Sequence, residues 1–335
     1  MIFKNKYNFM LFMLLIISII LSITTNSWFF MWMGLEFNLI TFIMLIILKN
    51  SSEWSSAMKY FLIQSLSSSM FIYFSLLNYL IMNNYLIKVF LIFLNIALLI
   101  KIGVFPFYKW YPNLMNQLDW INCFILSTMQ KLSPLIILSY KFNYTLLIIL
   151  IMFNYLLSNL MMMNYSSMRM IFSYSSIGHS SWMILSLMKM MYLFNLYFMV
   201  YFYMTMMMFY YFMLNKINYL MDLYMNMNYK IFEKIMISFL MLSFMSFPFF
   251  IGFIIKWFLM LFMLEQMIKF IVFLMLMFSL ISTFNYIRLF MFMIMQNLLM
   301  NKIIMFKKYN LTKKYYLILY FMSLIFLFFC GLNLI

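Results

Sequence analysis

Eleven runs of about 20 apolar residues, joined mostly by short loops, fill this chain of 335 residues from end to end. A chain built this way has no exterior that water could cover, because 68% of its residues are hydrophobic and only 8% are charged. The runs are continuous rather than alternating, so they read as helices and not as barrel strands. The expectation is an all-α polytopic membrane protein with helices near 8–24, 28–48, 57–80, 86–108, 119–140, 143–163, 167–187, 190–214, 232–263, 270–297 and 315–333. Only the connections 215–231 and 298–314 are long, which leaves no room for a soluble domain.

Basic residues set the orientation. With the N-terminus inside, Lys4, Lys6, Lys49, Lys59, Lys109 and Arg169 and most other loop cations share that side. Only Lys88, Lys141, Lys189 and Lys269 fall opposite. The net charge of +16 is scattered through short loops, which argues against a nucleic-acid surface. Cys123 and Cys330 lie far apart within apolar segments, and with one His they form no metal-binding spacing. The abundance of Phe, Ile, Lys, Asn and Met fits A/T-rich codons, and 44 Met residues fit a mitochondrial code that reads AUA as Met.

Against this background four charges stand out. Glu36, Lys101, Lys131 and Lys256 each sit well inside a separate apolar run. An ionised group at the bilayer centre costs roughly 2.5–3.5 kcal/mol even on lenient insertion scales, so such residues face a wet or paired interior and mark a functional path by default. Glu36 and Lys101 are the natural ion pair. Lysine suits proton release because its charge responds to burial, whereas arginine stays charged. Lys131 lies some ten residues from either end of its run, too deep to snorkel to an interface. His179, within Tyr174-Ser-Ser-Ile-Gly178-His179-Ser-Ser-Trp182, is a relay candidate whose flanking serines could hold water. Arg288 is expected to clamp a carbonyl or a lipid phosphate rather than titrate. A static buried ion pair and a packing histidine are the competing readings of these residues.

Two segments share a Gly/Pro interruption beside a buried lysine: Lys101-Ile-Gly103-Val-Phe-Pro106-Phe107 and Phe247-Pro248 through Gly252 to Lys256-Trp257. They lie five helices apart, and an odd spacing gives successive repeats opposite topology. The sequence therefore predicts two inverted five-helix bundles with broken helices 4 and 9, over 1–141 and 142–297, followed by a loop and C-terminal helix over 298–335.

These motifs resemble the subunit 2 family of mitochondrial NADH dehydrogenase, the antiporter-like subunits of respiratory complex I. The resemblance rests on Asn26-Ser-Trp28, Trp32-Met-Gly-Leu-Glu36 with Asn38, Lys59-Tyr-Phe-Leu with Gln64, and Lys101 through Phe107 with Trp110. It continues in Gln130-Lys131-Leu-Ser-Pro134, Tyr174 through His179, and Gly252-Phe-Ile-Ile-Lys256-Trp257. Ser180-Ser181 departs from the more usual Met-Gly. The resemblance implies a non-redox, proton-translocating subunit of NADH:ubiquinone reductase in the mitochondrial inner membrane, N-terminus on the matrix side. It makes Glu36 and Lys101 the coupling pair, Lys131 and His179 the connecting relay, and Lys256 the terminal lysine. It places NADH, FMN, iron-sulfur clusters and ubiquinone in other subunits, with no cofactor on this chain. Implied partners are antiporter-like subunit 4, small subunit 4L, accessory subunits and lipids including cardiolipin. A free-standing cation/proton antiporter and a structural subunit without its own proton path are the alternatives; the first should hold its cation with carboxylates, and only Glu36 lies at depth.

Overall fold

The computed structural model describes residues 2–49, 54–80, 84–141, 143–225, 231–248, 250–264 and 269–300. The helices are α1 (Ile2–Thr24), α2 (Trp28–Lys49), α3 (Trp54–Leu80), α4 (Asn84–Ile102), α5 (Trp110–Gln117), α6 (Trp120–Ser127) and α7 (Met129–Ser139). They continue as α8 (Tyr144–Asn164), α9 (Met168–Lys189), α10 (Met191–Asn215), α11 (Leu220–Met225), α12 (Ile231–Met245), α13 (Ile251–Leu264) and α14 (Lys269–Met300). Eight helical segments among the described residues are long and apolar enough to cross a membrane. The fold is all-helical, as apolar runs without alternation require. The expected helix over 315–333 lies outside the described residues.

Both expected breaks are present. α4 ends at Ile102, where Gly103 adopts φ 76° and its N–H turns back to the Leu99 carbonyl at 3.0 Å. That left-handed backbone suits a residue without Cβ. The chain then runs irregularly past Pro106 into α5, which takes Pro112 in its first turn, where a missing N–H is tolerated. The apolar run predicts helix as far as 108 and a loop beyond it, whereas the helix stops at Ile102 and α5 forms within the expected loop. In the second break α12 stops at Met245, Ser246 takes φ 60°, and α13 resumes at Ile251. Gly252 fits there because a Cβ would lie 2.0 Å from the Ser243 carbonyl oxygen.

A third break was not expected. The helix read as 119–140 divides at Thr128 into α6 and α7. Ser127 and Thr128 direct their hydroxyls back to the Phe124 carbonyl at 3.0 and 2.7 Å, an alternative to the regular ladder. Pro134 inside α7 then removes the N–H that would have met the Gln130 carbonyl. Irregular backbone therefore flanks Lys131, as it does Lys101.

α1 packs along α2, α3 along α4, and α8 along α9, while α9 also meets α5, α7, α10 and α13. α9 is the central helix: every residue from Met168 to Leu187 is buried except Arg169 and His179. Its serines bond back to carbonyls three residues earlier, as Ser173, Ser175, Ser176 and Ser180 do at 2.6–2.8 Å. A helix can thus carry many hydroxyls at depth without leaving them unpaired. Large apolar side chains stay exposed on α1, α3 and α14, such as Phe9, Leu66 and Leu280. This is the surface of a protein whose solvent is hydrocarbon.

Candidate functional site

The buried charges converge on α9 and its neighbours. Lys131, only 2% exposed, stands in the first turn of α7. Its ammonium donates to the Ser176 carbonyl at 2.9 Å and to the Ser176 hydroxyl at 3.2 Å, and lies 4.5 Å from the centre of the Tyr111 ring. Ser176 in turn bonds the Tyr111 hydroxyl at 2.8 Å. A cation thus finds a π face, a carbonyl and a hydroxyl in place of water, and no carboxylate among the described residues.

Lys101 lies buried in the last turn of α4, within Coulombic reach of Glu36 on α2. The two form no direct ion pair among the described residues, and Glu36 is only half-buried. Gln64 on α3 fixes the local backbone by donating to the Lys101 carbonyl at 3.3 Å. Trp110 does the same to the Ile100 carbonyl at 3.1 Å. Asn154 on α8 bridges the first break to α9. Its side-chain oxygen accepts from the Phe105 N–H at 3.0 Å, while its amide donates to the Ile177 carbonyl at 2.9 Å and the Ser181 hydroxyl at 2.7 Å.

A neutral polar bridge joins the helix of Glu36 to that of Lys131. Gln130 donates to the Asn38 side-chain oxygen at 2.9 Å and accepts from the Tyr60 hydroxyl at 3.0 Å. All three residues are buried.

His179 lies at mid-α9 with both Lys131 and Lys256 within Coulombic reach. Its Nδ1 is hydrogen-bonded to the Tyr197 hydroxyl at 2.8 Å, and the Tyr201 ring lies 5.1 Å away. Of the flanking serines, Ser180 bonds the Ile177 carbonyl and Ser181 meets Asn154, while Ser175 lines a cavity together with His179. Lys256, 5% exposed on α13, faces the Trp182 ring at 5.6 Å. A cavity lined by His179, Lys256, Tyr155, Ser282 and Tyr286 lies between them. Arg288 on α14 clamps carbonyls, as its fixed charge suggests: it donates to Met163 at 2.5 Å, to Met162 at 3.1 Å and to Tyr165 at 3.5 Å.

All five singled-out residues therefore fall on one connected set of helices, with Lys131, His179 and Lys256 as the tightest group. The tyrosines at positions 111, 197 and 201, with Ser176 and Asn154, were not singled out from sequence. One signal was available: Tyr197 and Tyr201 are four apart and share a face of α10. Among the described residues no cluster of three or more His, Cys, Asp or Glu could hold a metal.

Comparison with known proteins agrees with this architecture. The family model described as NADH:quinone oxidoreductase/Mrp antiporter, transmembrane, matches residues 25–282. The chain is 34% identical to "NADH-ubiquinone oxidoreductase chain 2" of Anopheles gambiae over 76% of either sequence. It is 30% identical to the protein of that name from Locusta migratoria, over 86% of this chain and 85% of the relative. A chain of respiratory complex I from Thermus thermophilus superposes with a TM-score of 0.80 at 20% identity, covering 86% of this chain and 70% of that one, a likeness of fold. With the broken helices and buried lysines in place, the chain belongs to the NADH:quinone oxidoreductase/Mrp antiporter family of transmembrane proteins, beside its NADH-ubiquinone oxidoreductase chain 2 members.

Proposed function

We propose that this antiporter-like membrane-arm subunit of respiratory complex I carries protons along a file from Glu36 and Lys101 through Lys131 and His179 to Lys256. The observation that supports it most is the environment of Lys131. A buried ammonium held only by a carbonyl, a hydroxyl and a ring can release its proton without leaving an unpaired carboxylate behind. A static ion pair would need a counter-charge in contact, and Lys131 has none among the described residues.

Within this reading the subunit performs no redox step. NADH, FMN, iron-sulfur clusters and ubiquinone are handled by other subunits, and quinone reduction there drives the separation of Glu36 from Lys101. The breaks beside Lys101 and Lys256 supply backbone that can shift at membrane depth because it lies against protein. The protein sits in the mitochondrial inner membrane with its N-terminus on the matrix side, next to antiporter-like subunit 4, small subunit 4L, accessory subunits and cardiolipin.

The test is the ratio of protons moved to electrons transferred, measured in sealed vesicles holding the intact complex with Lys101→Met or Lys131→Met. The reading expects the ratio or the coupled rate to fall while the complex still assembles. Unchanged pumping in both variants would leave these charges as packing groups and the subunit as a structural element.

A further inference from the structure

The cavity between His179 and Lys256 has a third wall, α14, that the file described above does not use. A cavity of about 10 Å³, room for one water, lies there among His179, Lys256, Tyr155, Ser175, Ser282 and Tyr286. Tyr286 is 3% exposed, and its ring stacks against Phe244 at a centroid distance of 6.0 Å. Its hydroxyl approaches Ser175 without closing a direct hydrogen bond. A buried hydroxyl left unpaired costs about 1–3 kcal/mol. Phenylalanine would fill the same space without that cost, and this chain uses Phe 43 times. Position 286 nevertheless keeps the oxygen.

The groups on either side need an intermediary. Lys256 faces the Trp182 ring and makes no direct hydrogen bond among the described residues. His179 has its Nδ1 on Tyr197, and the residue lines this same cavity. Tyr155 and Ser282, whose hydroxyls lie 3.4 Å apart, also line the space. A cavity of this size on which two to four such polar groups converge has room for one ordered water. Arg288, two residues beyond Tyr286, ties α14 to the end of α8 and fixes the height of the phenol.

We propose that Tyr286 is a proton-relay residue: with ordered water in this chamber, its hydroxyl passes protons between His179 and Lys256. In each transfer the phenol oxygen accepts a proton from a neighbouring water as its own proton leaves toward the next acceptor. One O–H bond forms as another breaks, so the ring ends neutral and no electron moves. The proposal rests on the Glu36-to-Lys256 file being the conduction path.

The experiment compares the wild type, Tyr286→Phe and Lys256→Met in the intact complex within sealed vesicles. Proton uptake is followed in H2O and in D2O, and assembly is checked on native gels. Tyr286→Phe keeps the ring, and the expected result is normal assembly, proton-coupled turnover slowed on the order of tenfold, and a larger solvent isotope effect. Slowing with an unchanged isotope effect, as lost packing would give, overturns the proposal. Wild-type pumping by Tyr286→Phe beside impaired Lys256→Met also overturns it while the file survives; wild-type pumping by both removes the file as well. If Tyr286→Phe does not assemble, a high-resolution map of the wild-type complex decides. Water within hydrogen-bonding distance of the Tyr286 oxygen supports the relay, and a dry chamber ends it.

Discussion

Lys131 and Ser176 are joined twice, the ammonium reaching both the main-chain carbonyl and the hydroxyl of one residue. The carbonyl belongs to α9, three residues before His179. Proton loss from Lys131 would thus change the hydrogen bonding of the helix that carries the next titratable group.

Lys131→Arg separates charge from titration. Arginine keeps a cation against Ser176 and the Tyr111 ring but does not give up its proton. Assembly is expected to persist while NADH-driven proton uptake falls at least about tenfold, an effect on the scale of one lost acid–base group. Uptake at the wild-type rate would show that a fixed charge suffices there.

Tyr111 supplies Lys131 with a ring and Ser176 with a hydroxyl. Tyr111→Phe removes only the hydroxyl and should weaken the protein by about 1 kcal/mol. Tyr111→Leu removes the cation–π face too and should cost about 2 kcal/mol more, since the cation is desolvated. Thermal denaturation of the detergent-solubilised complex distinguishes them, and equal midpoints for the two variants would contradict the role given to the ring.

Gly252→Ala should be far more damaging than Gly103→Ala. An added Cβ at 252 meets main-chain oxygen at 2.0 Å, which only a shift of the α12–α13 junction can relieve. At 103 the nearest atom is a side-chain carbon 3.0 Å away, and the positive φ adds roughly 1–2 kcal/mol. Native-gel yield of assembled complex is the readout, with 252 expected to fall first.

Asn154→Leu keeps the volume and removes three hydrogen bonds. It leaves the Phe105 N–H without its partner, a penalty of about 1–3 kcal/mol. Hydrogen–deuterium exchange should rise over 103–109 while the ends of α4 and α9 remain protected; unchanged exchange at Phe105 would sink this account.

Arg288→Lys retains the charge but loses the fork that spans three carbonyls. Faster exchange is expected at the C-terminal turn of α8, around Met162 and Met163, with proton uptake little changed. A large fall in uptake without a change in exchange would instead assign Arg288 to the proton path.

The buried lysines and both broken helices were legible because each violates a local rule. A lysine in an apolar run is costly, and Gly103, Pro106, Pro248 and Gly252 interrupt helices by their own backbone chemistry. The break at Thr128 was not legible, since neither Ser127 nor Thr128 is a strong helix breaker and only their bonds to Phe124 reveal the competition. The tyrosines lining the site were hidden for another reason. Among 26 Tyr and 43 Phe, a functional hydroxyl looks like one more packing ring until its neighbours are known. Of the serines beside His179, Ser180 bonds its own helix and Ser181 meets Asn154 of α8, pairings that no sequence pattern announces.

The single amide of Asn154 grips the unwound stretch after α4 with one end and the middle of α9 with the other. Neither element can travel alone: a rearrangement starting next to Lys101 must either drag the histidine-bearing rod along or tear a contact in a place without solvent to replace it. That carboxamide thus couples the stretch beside Lys101 to α9, next to the Tyr111–Ser176 contact.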